Sequence, residues 1–207
     1  MLSFTGLAHR LVAHPWVYDQ TQKALGYDQL CRLLRPYLQE AAGCSVLEVG
    51  AGTGNSVTLL PPAVRYLWSD NDPQKLAGYR AKFPGGRGLL CDATRLPLAD
   101  HSVDYSLCVA VAHHLTDPAL TRLFAELARV TRRKLILWDP VEHRASAVSR
   151  LLWHYDRGSY PRSAQTLCQA LQASFTLARV EHPVIYHHYV LCVGLPHPAR
   201  PVPSQTS

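Results

Sequence analysis

The sequence predicts an α/β protein with a mostly parallel seven-stranded sheet, helices on both faces and an antiparallel last strand. Three observations carry this. Short β-rich apolar segments alternate with helical stretches from residue 44 to about 173, the pattern of strand–helix–strand units with parallel strands. Two further β-rich segments, about 175–180 and 185–193, are joined across Glu181-His182-Pro183, and a short join makes such a pair antiparallel. A glycine-rich turn, Gly50-Ala51-Gly52-Thr53-Gly54, stands directly after the first strand; glycine there permits a positive φ and a close approach of backbone to a ligand.

Composition narrows the classes. The chain has 207 residues, 47% hydrophobic and 17% charged, enough for one domain with a sizeable core and too apolar for disorder. No apolar run approaches the roughly 20 residues of a membrane span. Met1 to Trp16 is interrupted by His9, Arg10 and His14 and makes a poor signal peptide. The six cysteines are scattered and form no C-x-x-C pair, which fits reduced thiols in a cytoplasmic protein rather than a metal or disulfide set. The net charge of +6 is spread thinly, with Arg132-Arg133-Lys134 as the one local run. Nucleic acid is therefore a poor candidate partner, while an anionic small substrate suits the charge equally well.

Each element has its own signal. Residues 1–43 read as a helical cover or lid: Leu25, Leu30, Leu33, Leu34, Tyr37 and Leu38 recur at helical spacing, with His9, His14, Trp16 and Tyr18 as candidates to lie near a substrate. Strand one is 44–49, succeeded by a helix over 54–60 that stops at Pro61-Pro62. Strand two is 64–69, and Asp72 precedes Pro73 as a helix start. Strand three is 88–91 and strand four 103–112. A helix over 117–130 buries Leu120, Leu123, Phe124, Leu127 and Val130 on one stripe. Strand five is 134–138, and Ser163 caps a helix over 164–173. The core spans 44–195, and 196–207, with four prolines, is a loose tail.

In an open sheet of this kind ligands sit outside the carboxyl ends of the strands, at the point where strand order switches. The glycine turn does not fit the dinucleotide fingerprint, because the sixth position counted from Gly50 is Asn55. It reads as an acid ahead of Gly-x-Gly-x-Gly: Glu48, Gly50, Gly52, Gly54. Asp70 ends strand two, where a carboxylate can take both hydroxyls of a ribose or simply cap the next helix. Asp92 ends strand three, where it can take an adenine amino group while the N–H of Ala93 meets a ring nitrogen.

Six segments occur in order: Val46–Asn55; Ser69–Leu76; Asp92-Ala93 with Leu96-Pro97-Leu98; Ser102-Val103-Asp104; His113-His114-Leu115; and Glu126–Val130. Together they resemble the class I S-adenosylmethionine (SAM) methyltransferases over residues 40–140, most closely the branch with the small-molecule and quinone methyltransferases. The resemblance implies a Rossmann-like class I methyltransferase fold and SAM as cofactor, with S-adenosylhomocysteine as product. It implies that the methionine part lies along Glu48, Gly50 and Gly52, the ribose on Asp70 with Asn71 beside the adenine, and the adenine edge on Asp92 and Ala93. Val109 to His114 would line the sulfonium and the acceptor. The Pro-Gly-Gly common before strand five in the family is replaced here by Thr131-Arg132-Arg133-Lys134, expected in a turn. The Asn-Pro-Pro-Tyr exit of nucleic-acid amino methylators is absent.

Methyl transfer to a hydroxyl or protonated amine needs a base, and histidine titrates near working pH. His114 and His143 are the candidate catalytic residues, and His113, Tyr18, Asp156, Arg157 and Tyr160 the candidate substrate contacts; Arg157 would suit a carboxylate or phosphate. No metal site is expected. The acceptor expected is a small molecule. Nucleic-acid or protein methylation, and a SAM-binding protein of this fold without methyl transfer, are the alternatives; an NAD-dependent oxidoreductase is disfavoured by Asn55.

Overall fold

The computed structural model describes residues 27–142, 153, 160–185 and 188–197. Within them the chain runs α1 (Tyr27–Leu38), a 3-10 turn (Gln39–Ala41), β1 (Ser45–Val49), a 3-10 turn (Asn55–Leu59), β2 (Arg65–Asp70), α2 (Pro73–Lys82), β3 (Gly88–Leu90) and β4 (Val103–Val109). Next come a 3-10 turn (Ala112–His114), α3 (Asp117–Val130), β5 (Thr131–Pro140), α4 (Ala164–Gln172), β6 (Phe175–Glu181) and β7 (Tyr189–Pro196). The seven strands form one sheet in the order β3-β2-β1-β4-β5-β7-β6. β7 is antiparallel to both β5 and β6, and every other pair is parallel. This is the α/β architecture expected, with β1 and β4 side by side at the switch point.

Both faces of the sheet are covered, which is why β1, β4 and β5 are apolar runs rather than alternating ones. On one face the predicted stripe of α3 (Leu120, Leu123, Phe124, Leu127 and Val130) packs with Leu167 and Leu171 of α4 over Leu47, Val49, Leu135 and Leu137. On the other, Leu30, Leu34 and Leu38 of α1 pack over Leu107, Ile136, Trp138, Leu191 and Val193. The helix starts obey local chemistry. The Asp72 carboxylate accepts from the N–H of Gln74 at 2.8 Å ahead of Pro73, and the Ser163 hydroxyl accepts from the N–H of Thr166 at 3.1 Å.

Four boundaries differ from the sequence reading by more than a residue. Strand four, expected over 103–112, ends at Val109, because Ala110 takes a positive φ of 55° and the chain leaves the sheet. The helix expected over 54–60 is a 3-10 turn at Asn55–Leu59; Gly54 before it is left-handed and Pro61 comes soon after, leaving too little chain for an α-helix. β5 begins at Thr131, directly after α3, so Thr131 to Lys134 are strand and not turn. Arg132 and Arg133 hold that extension beside the carboxylate of Asp104 on β4. β7 begins at Tyr189 and runs to Pro196, so the link from β6 covers residues 182–188, with one bridge between Val184 and His188. No helix among the described residues is long and apolar enough to cross a membrane.

Candidate active site

β1 delivers the chain into the glycine turn between β2 and β4. Gly50, Gly52 and Gly54 all have positive φ, at 61°, 53° and 77°. Space matters as much as dihedral: a Cβ on Gly50 would stand 2.4 Å from Cγ2 of Val111, and one on Gly54 2.5 Å from the Tyr79 ring. The turn is held from several sides. Its Ala51 N–H donates to the carbonyl of Ser69 at 3.0 Å, and its Gly52 N–H to Oδ2 of Asp70 at 2.9 Å. The Trp68 indole N–H donates to the Gly52 carbonyl at 2.8 Å. Lys82 reaches across from α2 to the side chains of Thr53 and Asn55, at 3.1 and 3.0 Å.

The acids occupy distinct environments. Glu48 is buried and accepts from the hydroxyls of Ser56, at 2.7 Å, and Tyr66. Burial raises its pKa from the ordinary 4.5 to about 7, against the two hydrogen bonds that favour the ionised form, and the nearby Asp70 adds to the rise. Asp70, half-buried, also accepts from the N–H of Asp72 at 3.0 Å. Each of its oxygens then has one described partner, and a carboxylate has about four acceptor sites, so capacity for two further donors remains. Asn71 is exposed beside it.

The loop after β3 carries Asp92, exposed, whose Oδ1 accepts from the N–H of Thr94 at 2.8 Å, and the half-buried Ala93. The loop is gripped from α3. Glu126 accepts from the N–H of Leu96 at 2.7 Å, and Arg129 donates to the carbonyls of Leu98 and Leu96 at 2.7 and 3.1 Å. Arg129 also holds Asp100 and Glu126. The Glu126–Val130 segment thus acquires a structural role: it supports the loop that presents Asp92.

β4 ends at the half-buried Val109, and Ala110 turns the chain with a φ of 55°. Asp139, at the end of the neighbouring β5, is 1% exposed. It accepts from the N–H groups of Val111, Ala112 and His113 at 2.9, 2.8 and 3.1 Å, and pairs with His113 Nδ1 at 2.9 Å. A carboxylate offers only acceptors, so His113 Nδ1 carries a proton. His113 is consequently buried, while His114 is exposed with its ring 4.0 Å from that of His113. The Tyr160 N–H donates to the carbonyl of His113 at 3.1 Å, and its side chain is 41% exposed.

The structure therefore brings Glu48, Gly50, Gly52, Gly54, Asp70, Asn71, Asp92, Ala93, Val109, His113 and His114 to the same rim of the sheet, with Tyr160 at its β4 side. Tyr18, His143, Asp156 and Arg157 lie outside the described residues. The sequence reading gave no part to Trp68, Lys82 or Arg162, which hold the rim in place; their partners lie far away along the chain, and no local motif announces them. Among the described residues no His, Cys, Asp or Glu cluster suits a metal.

This strand order, with a glycine turn at the switch point and acids closing β1 and β2, defines the Rossmann-like methyltransferase fold. Residues 46–134 match the model of a family described as a methyltransferase domain. Uncharacterized methyltransferases of Mycobacterium bovis and Mycobacterium tuberculosis are 38% identical to the chain over 119 residues, 56% of this chain and 48% of theirs. The chain thus spans about half the length of the curated relatives it matches. Among solved structures, the putative methyltransferase in a complex with the Haloferax volcanii Trm112 activator superposes with a TM-score of 0.74 at 16% identity, covering 88% of this chain and 95% of that one. Geranyl diphosphate C-methyltransferase from Streptomyces coelicolor, solved with Mg2+, geranyl diphosphate and S-adenosylhomocysteine, gives 0.66 at 12% identity, covering 83% and 81%. At these identities the structures establish the fold.

Proposed function

We propose that this protein is a SAM-dependent methyltransferase whose acceptor is a small molecule. The observation that carries the reading is the glycine turn: three left-handed glycines, with Val111 and Tyr79 excluding a side chain at Gly50 and Gly54, between a buried Glu48 and a half-buried Asp70. The match of residues 46–134 to a methyltransferase domain supports it.

The residues fit the cofactor. Glu48 would face the methionine ammonium, a cation that compensates the burial of its carboxylate. Asp70 would take the ribose hydroxyls, with Asn71 beside the base, and Asp92 with Ala93 the adenine edge. When bound, SAM supplies an electrophilic methyl group. The protein orients the acceptor in line with it, and Val109 and the loop after it exclude water from that side. Positioning of this kind supplies up to ~7–11 kcal/mol in well-oriented systems. The exposed His114 would take a proton from the acceptor atom, and His143 is the second candidate base.

Two observations favour a small acceptor over nucleic acid. The Asn-Pro-Pro-Tyr exit is missing at β4. The local basic group of Arg65, Arg132 and Arg133 gathers around Asp104 at the amino ends of the strands, away from the site. All six cysteines are free thiols, which supports a cytoplasmic setting. Calorimetry with SAM, S-adenosylhomocysteine and NAD tests the reading: SAM and its demethylated product should bind and NAD should not, and the opposite pattern would reject it.

A further inference from the structure

The backbone of the loop after β4, Val111 to Leu115, is held by two side chains of opposite charge, sorted by the groups they take. Asp139 receives the N–H groups of Val111, Ala112 and His113. Arg162, 9% exposed in the segment before α4, donates Nη1 to the carbonyl of Ala112 at 3.0 Å and Nη2 to that of Leu115 at 2.6 Å. The His113 carbonyl takes the Tyr160 N–H, and the N–H groups of His114 and Leu115 turn back to the carbonyls of Val111 and Ala112. Every N–H from 111 to 115 is thereby satisfied within the protein. Arg162 is itself oriented by Asp117 through Nε and Nη2, at 2.8 and 2.6 Å.

Rigidity here has a specific consequence. Val111 is the residue whose Cγ2 fills the space over Gly50. Held in place, it sets the width of the crevice between the glycine turn and the β4 exit, and the same clamp sets where His114 projects. Two charges buried in this way, each making several hydrogen bonds, are costly unless the geometry is complete, and α3 and α4 would be adequately packed by the apolar residues already between them.

We infer that Asp139 and Arg162 are positioning residues of the methyl-transfer site, acting through the Val111–Leu115 loop on the cofactor crevice and on the orientation of His113. The inference rests on the methyltransferase reading. The bonds that assign them this role run to the loop: Asp139 to its N–H groups and Arg162 to its carbonyls.

The test is S-adenosylhomocysteine binding by calorimetry for the wild type, Asp139→Asn, Arg162→Lys and a core control, Phe175→Leu on β6, each with its melting temperature, together with nitrogen NMR of the histidine rings. Asparagine at 139 offers one acceptor oxygen and turns an amide toward donors, so binding should weaken by about tenfold or more. Arg162→Lys keeps the charge and loses the fork, and should weaken binding by about threefold or more. The Nδ1-protonated signal of His113 should be lost in Asp139→Asn and kept in Phe175→Leu, which should bind as the wild type does. Both site variants binding within about twofold of wild type, or a loss in Phe175→Leu equal to theirs at the same melting temperature, would overturn the inference. If Asp139→Asn does not fold, Arg162→Lys decides alone. A wild type that fails to bind S-adenosylhomocysteine overturns the methyltransferase reading instead, and the inference with it.

Discussion

The indole N–H of Trp68 on β2 donates to the carbonyl of Gly52 at 2.8 Å, and its ring stacks on Tyr79 of α2 at 5.6 Å between centroids with an interplanar angle of 13°. The glycine turn is thus tied to the helix after the next strand, through a side chain that is fully buried. Trp68→Phe keeps an aromatic ring on Tyr79 and orphans the Gly52 carbonyl. It should cost about 1–3 kcal/mol of stability, the scale of a buried acceptor left without its donor. Denaturant titration reads the loss.

Gly50→Ala combines two penalties that can be separated. A left-handed residue other than glycine costs roughly 1–2 kcal/mol, and its Cβ would meet Val111 at 2.4 Å, an overpacking cost of about 1–3 kcal/mol. Val111→Ala in the same chain should recover the second and leave the first. A double-mutant cycle showing no interaction between positions 50 and 111 would contradict the packing described.

Glu48 makes a pH prediction with a definite sign. Its folded pKa, about 7, lies above the ordinary 4.5, so between these values the folded state holds more proton than the unfolded one. The contribution of this group to stability is complete below about 4.5 and is lost as pH rises through about 7. Binding a cationic ammonium favours the ionised carboxylate. Affinity for S-adenosylhomocysteine should therefore rise from pH 6 to pH 8 with release of a proton, about one per site near pH 6. Calorimetry in buffers of different ionisation enthalpy measures that release, and Glu48→Gln should abolish it.

Asp70 holds Gly52 and Asp72 and is proposed to take the ribose, and the two roles can be distinguished. Asp70→Ala removes its bonds to Gly52 and Asp72 as well as any to a ribose. Affinity for S-adenosylhomocysteine should fall by about 1–3 kcal/mol, the scale for charged hydrogen bonds. The same variant should bind 5′-deoxy-5′-methylthioadenosine, which keeps the ribose, with a similar loss. Equal affinity of mutant and wild type for both ligands would remove Asp70 from the ribose assignment.

What the sequence disclosed and what it hid divides along contact range. The acids Glu48, Asp70 and Asp92 were legible because each sits at a strand end marked by a local pattern, and the stripe of α3 and the caps at Asp72 and Ser163 depend on neighbours a few positions away. Asp139 bears the same mark, standing after strand five among the candidates at the site end of the sheet, but its partners are not readable there, and Arg162 bears none, since what they hold at His113 and Ala112 is 26 and 50 residues removed. The start of β5 was hidden for a different reason: Arg132 and Arg133 are polar and exposed, and only the pairing of Thr131 with Val103 and the carboxylate of Asp104 make them strand. The 3-10 turn after Gly54 shows the limit of reading a helix from five residues whose ends are fixed by glycine and proline.

β7 is the last strand in chain order, yet it lies between β5 and β6. During synthesis, β5 must wait with one edge unfilled until residues 189–196 leave the ribosome, and β6 has nowhere to dock in the meantime. The half-made sheet exposes Leu135 to Trp138 to any passing strand, a hazard that chaperones exist to cover. Nascent chains stalled before Tyr189 should accordingly be the form most prone to aggregate.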